Sequence, residues 1–165
     1  MGTHDKLADG KGGWESAIFG GEMMRRMEAC YRIEHGECPV EPRSPEDVDN
    51  LIDELLASDR SENTAVLHSL ERALMPAGVP DHELMVGADG DRQVGVLAFM
   101  DDGNFVSLGA DDRGGEVSYS IMGNMTEFPE RSEIPIMLVR QAVKEFLSSS
   151  EKRPACVEWQ VPEIW

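Results

Sequence analysis

Basic residues are scarce in this chain: 15 lysines and arginines stand against 32 aspartates and glutamates, a formal net charge of −17. A field of that sign repels phosphate backbones and anionic membrane faces, and it speeds encounter with a basic partner. Direct nucleic-acid binding and membrane attachment are therefore not expected. Acidity also serves plain solubility, so charge fixes a partner's sign and not its identity. Long hydrophobic runs are missing, with nothing near the ~18 apolar residues of a membrane span. The opening MGTHDKLADGKGGWESAIFGGEMM has no basic start followed by an apolar stretch, so no secretory signal is read there. Cysteine is sparse and odd in number: Cys30, Cys38 and Cys156 cannot all pair within one chain. That points to a reducing compartment, read as cytoplasm.

What is present suffices for one core. The 165 residues are 41% hydrophobic and 28% charged, the profile of a single ordinary domain. Residues 1–24 read as a flexible Gly-rich leader, with Met23, Met24 and Met27 as alternative starts, and residues 25–165 as one domain.

Residues 27–33 form a candidate first strand. Ser44-Pro45-Glu46-Asp47 then carries a complete helix start: a capping hydroxyl, a proline at the first position, and two carboxylates against the positive end of the dipole. Val48, Leu51, Ile52, Leu55 and Leu56 recur at spacings of three and four, which predicts an amphipathic helix over 45–57 with Asp49, Asp53 and Glu54 on its open face. Short apolar runs at 64–70, 83–87, 93–99, 105–108 and 116–121 are separated by Asp, Gly and Asn, the composition of an antiparallel meander. Ile136, Val139, Ala142, Val143, Phe146 and Leu147 mark a second helical stripe, with Ser132 as its cap and Glu133 or Pro135 in its first turn. Residues 155–161 alternate as a last strand. The expected architecture is α+β: an antiparallel sheet with two amphipathic helices on one face and the other face open to solvent.

Chemistry is harder to find. Cys30, His35 and Cys38 lack a sequence-local fourth zinc ligand, although folding brings Cys156, His68 or His82 within consideration. Idle or buried thiols are the preferred reading, and no metal or cofactor is expected. The Asp-rich turns lack the ligand spacing of a calcium loop, the glycines form no nucleotide fingerprint, and no nucleophile elbow is present. A catalytic role is not expected.

Several blocks succeed one another in the second half: Asp101-Asp102-Gly103-Asn104-Phe105, Gly115-Glu116-Val117-Ser118-Tyr119, Gly123-Asn124, Thr126-Glu127-Phe128-Pro129, Ser132-Glu133-Ile134-Pro135, Val139–Leu147 and Arg153–Gln160. In that order, over about residues 64–161, they resemble the first-numbered family of bacterial polymorphic-toxin immunity proteins, often encoded beside deaminase-type toxins. The resemblance implies a cytoplasmic antitoxin that binds a toxin's C-terminal domain, with no catalytic residues to transfer. A nucleic-acid-modifying toxin needs a basic substrate groove, which an acidic protein is suited to block.

The candidate contact residues are turn acids: Asp101, Asp102, Asp111 and Asp112 in the strand connections, and Glu127, Glu130 and Glu133 in the stretch 123–135, read as a rigid reversal with an acidic outward rim. For each, a solvated turn acid is the bland alternative. Trp159 is either core or a contact anchor, and Trp165 a further anchor candidate. Two other classes compete: a small-molecule-binding domain or enzyme with a pocket between sheet and helices, and an assembly subunit with a self-complementary apolar patch.

Overall fold

Ser44 opens the first helix as its sequence predicts. Its Oγ accepts the backbone N–H of Asp47 at 3.1 Å, Pro45 takes the first position, and Glu46 and Asp47 lie in the first turn. The computed structural model describes residues 25–110, 115–149 and 152–165. It places this helix, α1, at Pro45–Leu56 and a second, α2, at Ile136–Ser149. The leader expected over 1–24 lies outside the described residues. Both helices bury the predicted stripes, Val48, Leu51, Ile52 and Leu55 from α1 and Val139, Val143 and Phe146 from α2, in one cluster. Asp53 and Glu54 are exposed on the outer face as expected, but Asp49 and Asp53 are partnered by the second helix. Arg140 of α2 reaches them at 3.0 and 2.6 Å, and Lys144 adds a contact to Asp49 at 2.9 Å.

The sheet is antiparallel. β1 (Met27–Cys30), β2 (Thr64–Ser69), β3 (Glu83–Asp89), β4 (Val94–Met100) and β5 (Asn104–Ser107) lie side by side in chain order. Near the far end of the chain, β8 (Ile134–Pro135) pairs with Val94 and Gly95 of β4, and β9 (Trp159–Gln160) pairs with β5. Strand alternation sends Leu84, Val86, Leu97 and Phe99 toward the helices, and Val96, Ala98 and Val106 to the opposite face.

That opposite face is not left open. Residues 117–121, expected within the main sheet, form β6 (Val117–Ile121), which pairs with β7 (Asn124–Phe128) as a separate hairpin. The hairpin covers the second face and buries Tyr119 and Phe128 there. Gly87 makes the room: a Cβ at that position would lie 2.7 Å from the Tyr119 ring and 2.9 Å from Val96. The hairpin turn is Met122-Gly123, with φ of 48° and 83°, the left-handed pair that matches strand twist.

The stretch 123–135 is thus half strand, not one connection. Ser132 does not cap α2; it is fully buried, and its hydroxyl donates to the Pro129 carbonyl at 2.5 Å. Ile134 and Pro135 form β8 rather than a first helical turn. The last strand is shorter than 155–161 because β5 offers partners only to Trp159 and Gln160.

Candidate protein-binding surface

Glu133 corrects the expected rim. It is only 8% exposed. Its two oxygens accept from both terminal nitrogens of Arg92 at 2.8 and 2.5 Å, and the Tyr119 hydroxyl donates to it at 2.7 Å. Arg92 also donates to Asp89 at 3.0 Å. Burial pushes the Asp89 carboxyl up, but hydrogen bonds from the Arg92 side chain and from the backbone of Arg92 and Asp91 hold it below its usual value. Burial, with the Glu133 hydrogen bond, pushes the Tyr119 hydroxyl far up, so it donates and stays neutral. This cluster fastens the β6–β7 hairpin to the β3–β4 turn and commits both oxygens of the buried Glu133 inside the protein.

Glu127 and Glu130 remain exposed. They line a surface groove of about 820 Å³ together with Glu116, Glu163, Arg131 and Trp165. One wall is the hairpin; the other is the segment after β9. Gln160 ties the walls, its Nε2 donating to the carbonyls of Glu130 and Ser107, each at 3.1 Å. The Trp165 ring packs on Phe128 with centroids 5.4 Å apart. Arg131, the one cation among the described residues that line the groove, donates its Nε to the Gly109 carbonyl at 3.2 Å. Among the described lining residues, four glutamates therefore face one guanidinium, beside the exposed side chains of Val161 and Ile164. Sequence reasoning missed Glu116, at the start of a run read only as a strand, and Val161, Glu163 and Ile164, whose only signal was the apolar and acidic composition around Pro162.

Asp101 and Asp102 are exposed in the β4–β5 turn, where Arg72 approaches Asp101 at 4.0 Å. They belong to the surroundings of the β2–β3 connection, not to the groove lining. Asp111 and Asp112 lie outside the described residues. Trp159 is half-buried and packs against the main core, with its indole N–H donating to the Pro154 carbonyl at 2.9 Å. Its ring and its polar handle are both used internally, which fits core better than contact anchor.

Among the described residues, no group of three or more His, Cys, Asp and Glu is arranged to hold a metal. The Cys30 thiol donates to the His35 carbonyl at 3.4 Å, and His35 Nδ1 accepts the N–H groups of Tyr31 and Arg32 at 3.2 and 3.1 Å. Those groups close a short 3-10 turn, Ile33–Gly36. Burial and the nearby Glu28 push the Cys30 thiol up, and burial with Glu145 pushes Cys156 up to about 11. Both thiols are poor nucleophiles at neutral pH. No helix among the described residues is long and apolar enough to cross a membrane.

The groove is rich in acid and edged with apolar groups, a combination suited to contact with another protein. No curated protein matches the chain. A family model, described as immunity protein Imm1, matches residues 36–161. The fold and this match agree with the resemblance carried by the blocks of the second half: the chain belongs to the Imm1 family of immunity proteins.

Proposed function

We propose that the protein is the antitoxin of a polymorphic toxin system and that it acts by binding the toxin's C-terminal domain over a basic substrate cleft. The reading rests on family membership, and one observation carries it to a surface: among the described residues, Glu116, Glu127, Glu130 and Glu163 line, with Arg131, a groove edged by apolar side chains. Excess carboxylate steers a cationic partner, and exposed apolar groups beside it supply the desolvated contacts that hold one. The toxin is proposed to be a nucleic-acid-modifying deaminase, because an enzyme that grips phosphates presents a field opposite to a net charge of −17.

Inhibition is then steric, and the protein itself carries no catalysis. Cys30, Cys38 and Cys156 are all free thiols, which suits action inside a reducing cytoplasm, where the toxin meets its substrate. Co-expression with the toxin domain encoded by the neighbouring gene tests the reading. Survival of the host and recovery of a stoichiometric complex are expected; death of the host in the presence of folded protein overturns it.

A further inference from the structure

β2 and β3 are joined by residues 70–82, a far longer link than the roughly two to five residues of a common hairpin loop. Its central residues, Ala73-Leu74-Met75-Pro76-Ala77-Gly78-Val79-Pro80, carry no charged, amide or hydroxyl side chain, in a protein that is 28% charged. Leu74 is 61% exposed, Met75 44% and Val79 46%.

This apolar tip is ordered without help from the core. The Gly78 N–H donates to the Met75 carbonyl at 2.7 Å and the Met75 N–H to the Val79 carbonyl at 2.8 Å. Gly78, at φ 84°, supplies the left-handed residue that closes the turn. Polar latches hold the base. Arg72 pairs with Asp81 at 3.0 Å, His82 Nδ1–H donates to the other Asp81 oxygen at 3.0 Å, and His82 Nε2 accepts the Ser69 N–H at 2.8 Å. A fixed frame that holds three large apolar side chains in water has the form of a contact made in advance of its partner.

Charge selects the occupant. The base of the loop is bordered by Glu71, Asp81, Asp101 and Asp102, with Arg26 on Glu71 and Arg72 between Asp81 and Asp101. Carboxylates outnumber cations, so the complementary surface is an apolar recess rimmed by arginine or lysine. A second copy of this chain, at net charge −17, and an anionic bilayer are both repelled.

We propose that the 70–82 loop is a preformed plug that seats Leu74, Met75 and Val79 in an apolar recess of the toxin domain, with cationic side chains around that recess meeting Asp101 and Asp102. The proposal rests on the antitoxin reading and adds a second contact to the acidic groove.

The test compares dissociation rates from an immobilised, catalytically inactivated toxin domain. The proteins are the unaltered chain, a Leu74→Ser/Met75→Ser/Val79→Ser variant, and a groove variant, Glu127→Lys/Glu130→Lys. The plug predicts that the triple variant, with melting temperature preserved, dissociates at least about thirtyfold faster, while its association rate stays within about twofold. Leu74→Asp gives the same readout should the triple variant fail to fold. Equal dissociation rates for the loop variants and the unaltered chain overturn the plug while leaving the antitoxin reading intact; no binding by the unaltered chain removes both. Sedimentation showing a dimer that the triple variant abolishes, or flotation of the unaltered chain with anionic vesicles, gives the loop to another occupant and also overturns the proposal.

Discussion

Glu133 and Arg92 form a two-pronged ion pair across 41 residues of chain, at 2.8 and 2.5 Å, with Glu133 buried and Arg92 29% exposed. Burial pulls the Arg92 guanidinium down, but the Glu133 hydrogen bond is the larger influence, and its charge stays locked on. Glu133→Ala strands that guanidinium and frees the Tyr119 hydroxyl together. Removing one partner of a fully buried pair costs about 3–5 kcal/mol; with Arg92 partly solvated, about 2–3 kcal/mol is expected. Denaturant unfolding measures it. A loss below about 0.5 kcal/mol contradicts the structural role assigned to Glu133.

Glu127 and Glu130, by contrast, are exposed on a groove wall, where Glu130 accepts only an exposed hydrogen bond from the Gly115 N–H at 3.1 Å among the described residues. Reversing both to lysine is expected to leave the melting temperature within about 2 °C, since neither packs in the core. Association with the toxin domain slows about tenfold at low salt and loses part of its salt dependence. Stopped-flow association across a salt series is the measurement, and unchanged slopes remove these residues from the interface.

Asp101→Lys/Asp102→Lys separates the two acidic surfaces. If the β2–β3 loop and its border also meet the toxin, association slows by a further factor of about three to ten when this pair is combined with the groove reversal. An effect of the combination no larger than that of the groove pair alone assigns Asp101 and Asp102 to solubility.

His82 is buried with both nitrogens committed. Burial and the Arg72 charge lower its tendency to protonate, against the pull of Asp81. A histidine depressed in the folded state contributes fully above its unfolded value near 6.5, and that contribution is lost as pH falls through the folded value. Stability should therefore decline as pH falls below about 6.5, by at most about 1.4 kcal/mol per pH unit for one proton. His68 is depressed by burial in the same sense, with the Glu83 charge opposing. His82→Gln flattens part of that slope in urea titrations at several pH values; an unchanged slope assigns the titration elsewhere.

Gly87→Ala places a methyl where the Tyr119 ring lies, 2.7 Å away. Overpacking of this kind costs about 1–3 kcal/mol. Hydrogen exchange should report the loss mainly in β6 and β7, because the side chain intrudes between them and the sheet. Uniform deprotection of all strands contradicts that assignment.

Local signals were legible where local physics decides. Ser44 and Pro45 announced α1, and the spacing from Ile136 to Leu147 announced α2. The β6–β7 hairpin was hidden because Met122, an unusual residue at φ 48°, supplies half its turn, and because Asn124 to Glu127 carry little apolar alternation. Glu133 read as a rim acid because nothing within ten residues betrays its partners, Arg92 and Tyr119. The groove was illegible for a similar reason: its walls come from residues near 116, 130 and 163, brought together only by folding.

The central claim, that this protein silences a toxin domain by covering its substrate cleft, is tested most directly by titrating the purified chain against active toxin domain while substrate turnover is recorded. The account predicts complete loss of turnover at one-to-one stoichiometry, with an onset about tenfold slower at low salt when the groove carries Glu127→Lys and Glu130→Lys. Undiminished turnover at saturating, folded protein would contradict it.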